Sequence, residues 1–146
     1  MRRSVFLLTA FFVFSFFSTS TALAQIQVRM RVIQASNAGQ NVDPSLKDVH
    51  HELGSLFSFT SYRLLREESL RLSPNQPATI TAHPGRFLEV NLVELKRDVA
   101  KLRVRVIREG KDILDTQVRL SPGRTVLIGG PRHGEGVVIY ALSARF

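Results

Sequence analysis

The amino-acid sequence predicts an α+β domain, mainly β, in which an antiparallel β-sandwich or curled sheet carries one amphipathic helix near the mature N-terminus. Apolar residues alternate with polar ones in a series of short segments, which is the pattern of strands with one buried face. Turns rich in Pro and Gly separate these segments at short intervals, as they do in antiparallel sandwiches. Only the segment after the first strand shows helical spacing instead.

Residues 1–24 have the three-part pattern of a secretory signal peptide. Arg2 and Arg3 follow the first Met, an apolar run covers 5–17, and Ala22 and Ala24 offer the small side chains that signal peptidase requires. The apolar run is shorter than the roughly 20 residues that a membrane-spanning helix needs. We therefore expect cleavage after Ala24, a single mostly-β domain over 25–146, and a periplasmic or otherwise extracytoplasmic location in a bacterial envelope.

The chain is basic, with 20 Lys and Arg against 12 Asp and Glu and a formal net charge of +8. Loss of Arg2 and Arg3 with the signal peptide would lower this charge to +6. There is no cysteine, so neither a disulfide nor an acylated cysteine anchor is expected, and burial must hold the fold together. No segment after residue 24 is apolar over enough length to form a transmembrane helix.

The first strand and the helix open the domain. Strict alternation over 26–32 predicts a strand with one buried face. Asp43 is placed to cap a helix and Pro44 suits its first position, so the helix is expected from about Pro44 to Leu56. Its apolar stripe is Leu46, Val49, Leu53 and either Leu56 or Phe57.

The same period of two predicts the remaining strands. They are expected at 59–65 and 69–72 (one long or broken strand), 78–82, 87–92, 100–106, 114–120, 125–128 and 137–144. The glycine-rich segment 129–136 is expected to be a wide loop whose glycines take positive φ. The strand, helix and strand at the start make the domain α+β rather than purely β.

No catalytic or metal-binding set is predicted. His50 and His51 are adjacent, so on a helix they point about 100° apart, whereas a chelating pair needs a spacing of four and position 54 is Gly. Ser55 lacks the strand-to-helix elbow of a hydrolase serine. We therefore expect no catalytic residue, no metal, no cofactor and no enzymatic activity.

The basic residues are better organised than the other polar residues. Arg29 and Arg31 share one face of a strand, and a second strand carries three cations on one face. The candidate binding surface consists of Arg29, Arg31, Lys101, Arg103, Arg105, Arg132 and His133. Such a surface suits an envelope protein or an anionic envelope polymer, although a solvated sheet face explains the strand cations as well. Nucleic acid is not expected, because the chain carries an export signal and lacks exposed aromatic residues among its cations.

Arg132 and His133 lie within the glycine-rich segment 129–136 and suggest an alternative function. Glycine-rich loops can bind anions through backbone N–H groups, so the chain could be a small periplasmic ligand-binding protein or a hydrolase that uses this loop. However, a phosphate-binding loop leads into a helix and carries Lys and Ser or Thr after its glycines. This segment leads into a predicted strand instead.

Residues 121–130, with the sequence SPGRTVLIGG, resemble a stretch of bacterial outer-membrane secretins. In that family a turn glycine, here Gly123, precedes a Thr-Val-rich strand that ends in Gly-Gly, here Gly129 and Gly130. Pro131 differs from the Leu that is usual there. The opening strand, helix and strand also resemble the small ring-forming modules of secretins. The resemblance implies an accessory role in envelope assembly or secretion, and it agrees with an exported, non-enzymatic interaction module.

Overall fold

The structure, a computed structural model, describes residues 25–83 and 85–146. These residues form two four-stranded antiparallel sheets that pack face to face, with one short helix on an outer face. This confirms the predicted mainly-β sandwich with a single helix. The predicted signal peptide, residues 1–24, lies outside the described residues.

Each sheet contains four of the eight strands formed by the described residues. The strands are β1 Ile26–Ser36, β2 Ser61–Leu72, β3 Ala78–His83, β4 Arg86–Leu95, β5 Ala100–Arg108, β6 Lys111–Leu120, β7 Thr125–His133 and β8 Gly136–Arg145. Sheet A has the order β2-β1-β8-β7, and sheet B is the meander β3-β4-β5-β6. The chain therefore enters sheet A, crosses to sheet B for four strands, and returns to place β8 between β1 and β7.

The main hydrophobic core lies between the two sheets. Alternation on β1 directs Val28 and Met30 inward, and alternation on β5 does the same for Val104 and Val106, all fully buried. Because side chains alternate across a strand, the intervening odd-numbered residues of both strands point to the outer faces. The outer face of sheet A and the outer face of sheet B therefore look in opposite directions.

The helical segment packs on the outer face of sheet A and forms a second core. Leu46, Val49 and Leu53 are all buried there, as the predicted stripe requires, against residues such as Ile33 and Ile139. No helix in the described part of the chain has the length and apolar character to cross a membrane.

The prediction of one continuous helix from Pro44 to Leu56 is wrong. The structure has a 3₁₀ turn, Pro44–Leu46, and then a separate helix, α1, at His50–Leu56. Asp43 caps the first turn as expected, since its carboxylate accepts a hydrogen bond from the Ser45 amide at 3.0 Å. Residues three apart align in a 3₁₀ turn and residues four apart align in an α-helix. The spacing 46, 49, 53 therefore keeps one buried stripe across the break.

A β-bulge at Leu65 lets strand β2 serve both cores. Val32 pairs with Arg66 and Ile33 pairs with Leu64, so Leu65 is the extra residue on β2. A one-residue shift of register reverses the direction of every following side chain. Leu64 consequently faces the helix, while Leu65 packs into the core between the sheets.

The prediction that residues 129–136 form a wide loop is also wrong. Strand β7 continues to His133, β8 begins at Gly136, and only Gly134 and Glu135 form the turn between them. Of the glycines in this segment, only Gly134 has positive φ. A Cβ on Gly136 would lie 1.8 Å from the carbonyl oxygen of Ala35, so this glycine permits close approach of two strands rather than an unusual turn.

Candidate functional site

The candidate binding residues predicted from the sequence lie in three separate places. Arg29 and Arg31 are on the outer face of sheet A, whereas the cations of β5 are on the opposite, outer face of sheet B. Arg132 and His133 are at the end of the β7–β8 hairpin. The predicted surface therefore does not form one continuous patch.

The outer face of sheet A is apolar at one end and polar at the other. The 42–57 segment covers the apolar end, and a cleft of about 470 Å³ opens over the polar end. We call it the sheet A cleft. Three hydroxyl side chains from three different strands, Ser69, Thr125 and Ser143, lie along it.

Arg31 lies at the boundary between the two ends and is 2% exposed. Its guanidinium donates two hydrogen bonds to the carboxylate of Asp48, at 2.9 and 2.8 Å. This hydrogen bonding by Arg31 lowers the pKa of Asp48 below its usual value, and the charge of Arg29 acts in the same direction. Asp48 itself is 55% exposed, so a nearly buried cation is held by an anion that reaches solvent.

Asp48 sits between the 3₁₀ turn and α1, where the helical segment breaks. The Arg31–Asp48 pair therefore ties the helical segment to the sheet at the inner wall of the sheet A cleft. A bidentate Arg–carboxylate pair fixes distance and orientation together. Arg31 is thus a structural residue as well as a lining residue.

Arg29 and Arg145 are the more accessible cations of the sheet A cleft. The Nε of Arg29 donates to Glu67 of β2, and both side chains are partly exposed. Arg145, from β8, is exposed and lies beside Gln27 in the cross-strand register. Arg31, Arg29 and Arg145 therefore occupy three successive cross-strand rows, because Arg29 pairs with Ser143 and Gln27 pairs with Arg145.

On the outer face of sheet B, the arginines of β5 are paired with acidic residues. Arg103 makes two hydrogen bonds to Asp115, at 2.9 and 2.6 Å. Arg105 bonds Glu89 at 3.1 Å and Asp112 at 2.8 Å. These hydrogen bonds raise the pKa of both arginines, and that of Arg103 lowers the pKa of Asp115.

Two arginines against three carboxylates give this group of sheet B side chains a net charge of −1. An anion that binds Arg103 or Arg105 would therefore lie beside carboxylates that outnumber these two arginines. Lys101 lies farther along the same face, beside Arg119 of β6. These two residues line a smaller cleft of about 330 Å³ near the β4–β5 turn.

Arg132 and His133 end strand β7 and do not line the sheet A cleft. Arg132 is exposed, and its carbonyl oxygen accepts a hydrogen bond from Arg86 at 3.2 Å. Strand β7 runs to His133, and only a two-residue turn separates it from β8. The backbone N–H groups of Arg132 and His133 therefore belong to a strand and not to a loop that could surround an anion.

The two adjacent histidines have different surroundings. The ring of His50 packs edge-on to Tyr62, with ring centres 6.5 Å apart. His51 is exposed. Within the described residues, no three His, Asp or Glu side chains are grouped as metal ligands.

Three charged residues of the sheet A cleft, Asp48, Glu67 and Arg145, were not selected from the sequence. They come from the helical segment, an edge strand and the last strand, so only strand pairing brings them next to Arg29 and Arg31. The sequence offers one sign of them, because the alternation of side chains within each strand places Glu67 and Arg145 on the outward face. That signal cannot show which strands are neighbours.

Comparison of the chain with protein-family models, with curated proteins and with solved structures gives no match.

Proposed function

We infer that the chain is exported and acts in the bacterial envelope as a non-enzymatic interaction module that holds an acidic partner in the sheet A cleft. The observation that carries this proposal is the concave site itself, where Arg29 and Arg31 join Arg145 on one sheet face. Binding sites are usually concave and contain a few convergent polar groups. The partner would be an acidic envelope protein or an anionic envelope polymer.

The outer face of sheet B supports this function less well. There the carboxylates bonded to Arg103 and Arg105 outnumber these arginines, whereas the arginines that line the sheet A cleft outnumber its carboxylates. Exposed ion pairs of this kind also contribute little to stability, because water screens the attraction between their charges. Their simplest role is to keep a broad sheet face hydrated.

The resemblance of residues 121–130 to secretins supports an assembly or secretion accessory role. In the structure these residues form the turn into β7 and most of β7, an edge strand of sheet A. Gly123 and Thr125 from this segment line the sheet A cleft. The segment that resembles secretins and the proposed binding site therefore adjoin each other.

Capture of partners from an envelope extract by the immobilised protein tests the proposal. Arg29→Gln combined with Arg145→Gln should abolish capture of an acidic partner, because both accessible cations of the cleft are lost. A matched control is Arg108→Gln combined with Lys111→Gln, which removes the same charge from exposed positions beside the β5–β6 turn. Capture that survives the cleft variant but fails with Lys101→Gln and Arg119→Gln would move the site to sheet B and contradict the proposal.

Export is tested separately by N-terminal sequencing of the protein recovered from the envelope fraction. The expected first residue is Gln25. A protein that retains Arg2 and Arg3 and stays in the cytoplasmic fraction would contradict the location on which this function depends.

A further inference from the structure

The charged groups of the sheet A cleft are mixed in sign. Three arginines, Arg29, Arg31 and Arg145, stand against two carboxylates, Asp48 and Glu67, which leaves a net charge of +1. A ligand with dense negative charge would meet both carboxylates and be repelled by them. The cleft instead suits a ligand with a few anionic groups and several N–H donors of its own.

Arg31 supplies the deepest donors of the cleft. A guanidinium has five N–H donors, and Asp48 takes two of those of Arg31. No further acceptor in residues 25–83 and 85–146 is hydrogen-bonded to this side chain. A nearly buried cation with unused donors, lining an open cleft, provides a strong binding position for a carboxylate.

The three arginines follow the geometry of the sheet. Arg31, Arg29 and Arg145 occupy successive outward rows, and such rows are about 7 Å apart because they are two residues apart at about 3.4 Å each. An extended peptide has the same repeat, since its alternate side chains point to one side. Acidic side chains at alternate positions of an extended peptide therefore match the spacing of the arginines.

The acceptors of the cleft fit the same ligand. Glu67 is the cross-strand neighbour of Arg31 and is bonded to Arg29, while Asp48 is bonded to Arg31. Both carboxylates can accept the backbone N–H groups of a peptide laid between them. None of the described residues that line the cleft is aromatic, so these residues offer a sugar ring no aromatic face on which to stack.

Resting on the proposed function, we propose that the ligand of the sheet A cleft is an extended acidic peptide segment with carboxylates at alternate positions. A volume of about 470 Å³ suits a few residues of such a segment. Arg31 binds one carboxylate at the deep end, Arg29 and Arg145 face the next positions, and Asp48 and Glu67 accept backbone N–H groups.

Two peptides of identical composition test the spacing. Acetyl-Gly-Glu-Gly-Glu-Gly-amide has its glutamates on one side of an extended chain, whereas acetyl-Gly-Glu-Glu-Gly-Gly-amide has them on opposite sides. Calorimetric titration of the purified protein should give about tenfold tighter binding for the alternate peptide, because one charge-assisted hydrogen bond is at stake. Equal binding of the two peptides, or binding of neither, would overturn the proposal.

Single variants then locate the effect. Arg29→Gln should remove the preference for the alternate peptide, and Arg31→Lys should weaken both peptides because Lys lacks a planar pair of donors. Arg108→Gln should change neither. If Arg31→Lys does not fold, Arg145→Gln replaces it, since Arg145 is exposed. If Arg29→Gln and Arg145→Gln still prefer the alternate peptide, the proposal that these two arginines face its carboxylates is wrong.

Two further probes separate failure of this proposal from failure of the proposed function. Polygalacturonate and vesicles of anionic phospholipid carry dense negative charge without peptide N–H donors. Binding of either probe, weakened by Arg29→Gln while both peptides fail to bind, would overturn the peptide assignment but keep an acidic envelope partner. If neither probe nor peptide binds and the protein captures nothing from envelope extract, both proposals fail.

Discussion

Asp48 shows how one residue can connect stability with the binding site. Its carboxylate is partly exposed, yet it holds the nearly buried guanidinium of Arg31 and anchors the helical segment. Removing it would leave a buried cation without its counter-ion, which is far costlier than loss of a surface pair. A ligand that also binds Arg31 would meet a side chain whose position this pair has already fixed.

The stability contributed by Asp48 should depend on pH. The pKa of Asp48 is lowered in the folded protein, so its contribution is complete above the unfolded pKa of about 3.9 and is lost as the pH falls through the lower, folded pKa. In urea melts at pH 7, Asp48→Asn should lower the free energy of unfolding by about 1–3 kcal/mol. At pH 2 the difference in this free energy between the variant and the wild type should be smaller. Asp98→Asn, at an exposed turn position, is the control and should change neither melt.

An equal loss for Asp48→Asn at both pH values would contradict a role for the charge of Asp48. Acid would still weaken the wild-type protein, because hydrogen bonds also lower the pKa of Asp43 and Asp115. The comparison therefore depends on the difference between variant and wild type rather than on the acid loss alone.

Gly136 is required for contact between two strands. A methyl group there would overlap the carbonyl of Ala35 on β1, so Gly136→Ala should lower the free energy of unfolding by about 3 kcal/mol. Gly54→Ala is the matched control: its new Cβ meets nothing within 4 Å, and Ala is the better helix former by about 0.5–1 kcal/mol. Thermal melts should thus shift in opposite directions, and a neutral Gly136→Ala would contradict the close approach.

At the scale of secondary structure, the helical segment depends on the sheet beneath it. A seven-residue helix is too short to be stable alone, so the burial of Leu46, Val49 and Leu53 must hold it in place. In a urea melt, Leu53→Asp should therefore lower the free energy of unfolding by at least about 3 kcal/mol. This is a large part of the ~5–15 kcal/mol by which a typical domain is stable. His51→Ala, on the exposed side, should change stability by no more than about 0.5 kcal/mol.

An unchanged melt for Leu53→Asp would mean that the stripe does not pack on sheet A. In that case the second core would be absent, and the wall of the sheet A cleft would be mobile.

Most strands could be predicted from the sequence because alternation records burial directly. The alternation gives a wrong prediction where an irregularity of the backbone changes which residues are buried. The bulge at Leu65 reverses the alternation within β2, and the glycines of β7 and β8 resemble a loop although they permit close packing against Tyr140 and Ala35. The break at Asp48 leaves no sign in the stripe, because a 3₁₀ turn followed by an α-helix keeps the same residues in line.

At the scale of the whole molecule, the sequence identifies outward-facing cations but not their neighbours. Arg103 and Asp115 lie on different strands and meet only through the β5–β6 register. Arg31 is buried because a segment that follows β1 folds back over it. Whether a cation is paired, buried or open to a ligand depends on the order of the strands in the sheet. The alternation of apolar and polar residues along a strand does not reveal that order.

The two outer faces of the sandwich consequently differ in character. On sheet B the carboxylates outnumber the arginines to which they are bonded, whereas the concave site on sheet A has three arginines, one of them nearly buried, against two carboxylates. These faces point in opposite directions and are formed by different strands. A measurement that identifies which residues a ligand affects can therefore distinguish them even when the natural partner is not known.

Mapping of backbone amide chemical shifts by nuclear magnetic resonance is the most direct test of the central claim that the sheet A cleft is the binding site. The purified protein is titrated with acetyl-Gly-Glu-Gly-Glu-Gly-amide. We predict shifts at the amides of residues 27–31 of β1, 67–69 of β2 and 143–145 of β8, with those of β4 and β5 unchanged. Shifts confined to β4, β5 and β6, or no shift at saturating peptide, would contradict the account.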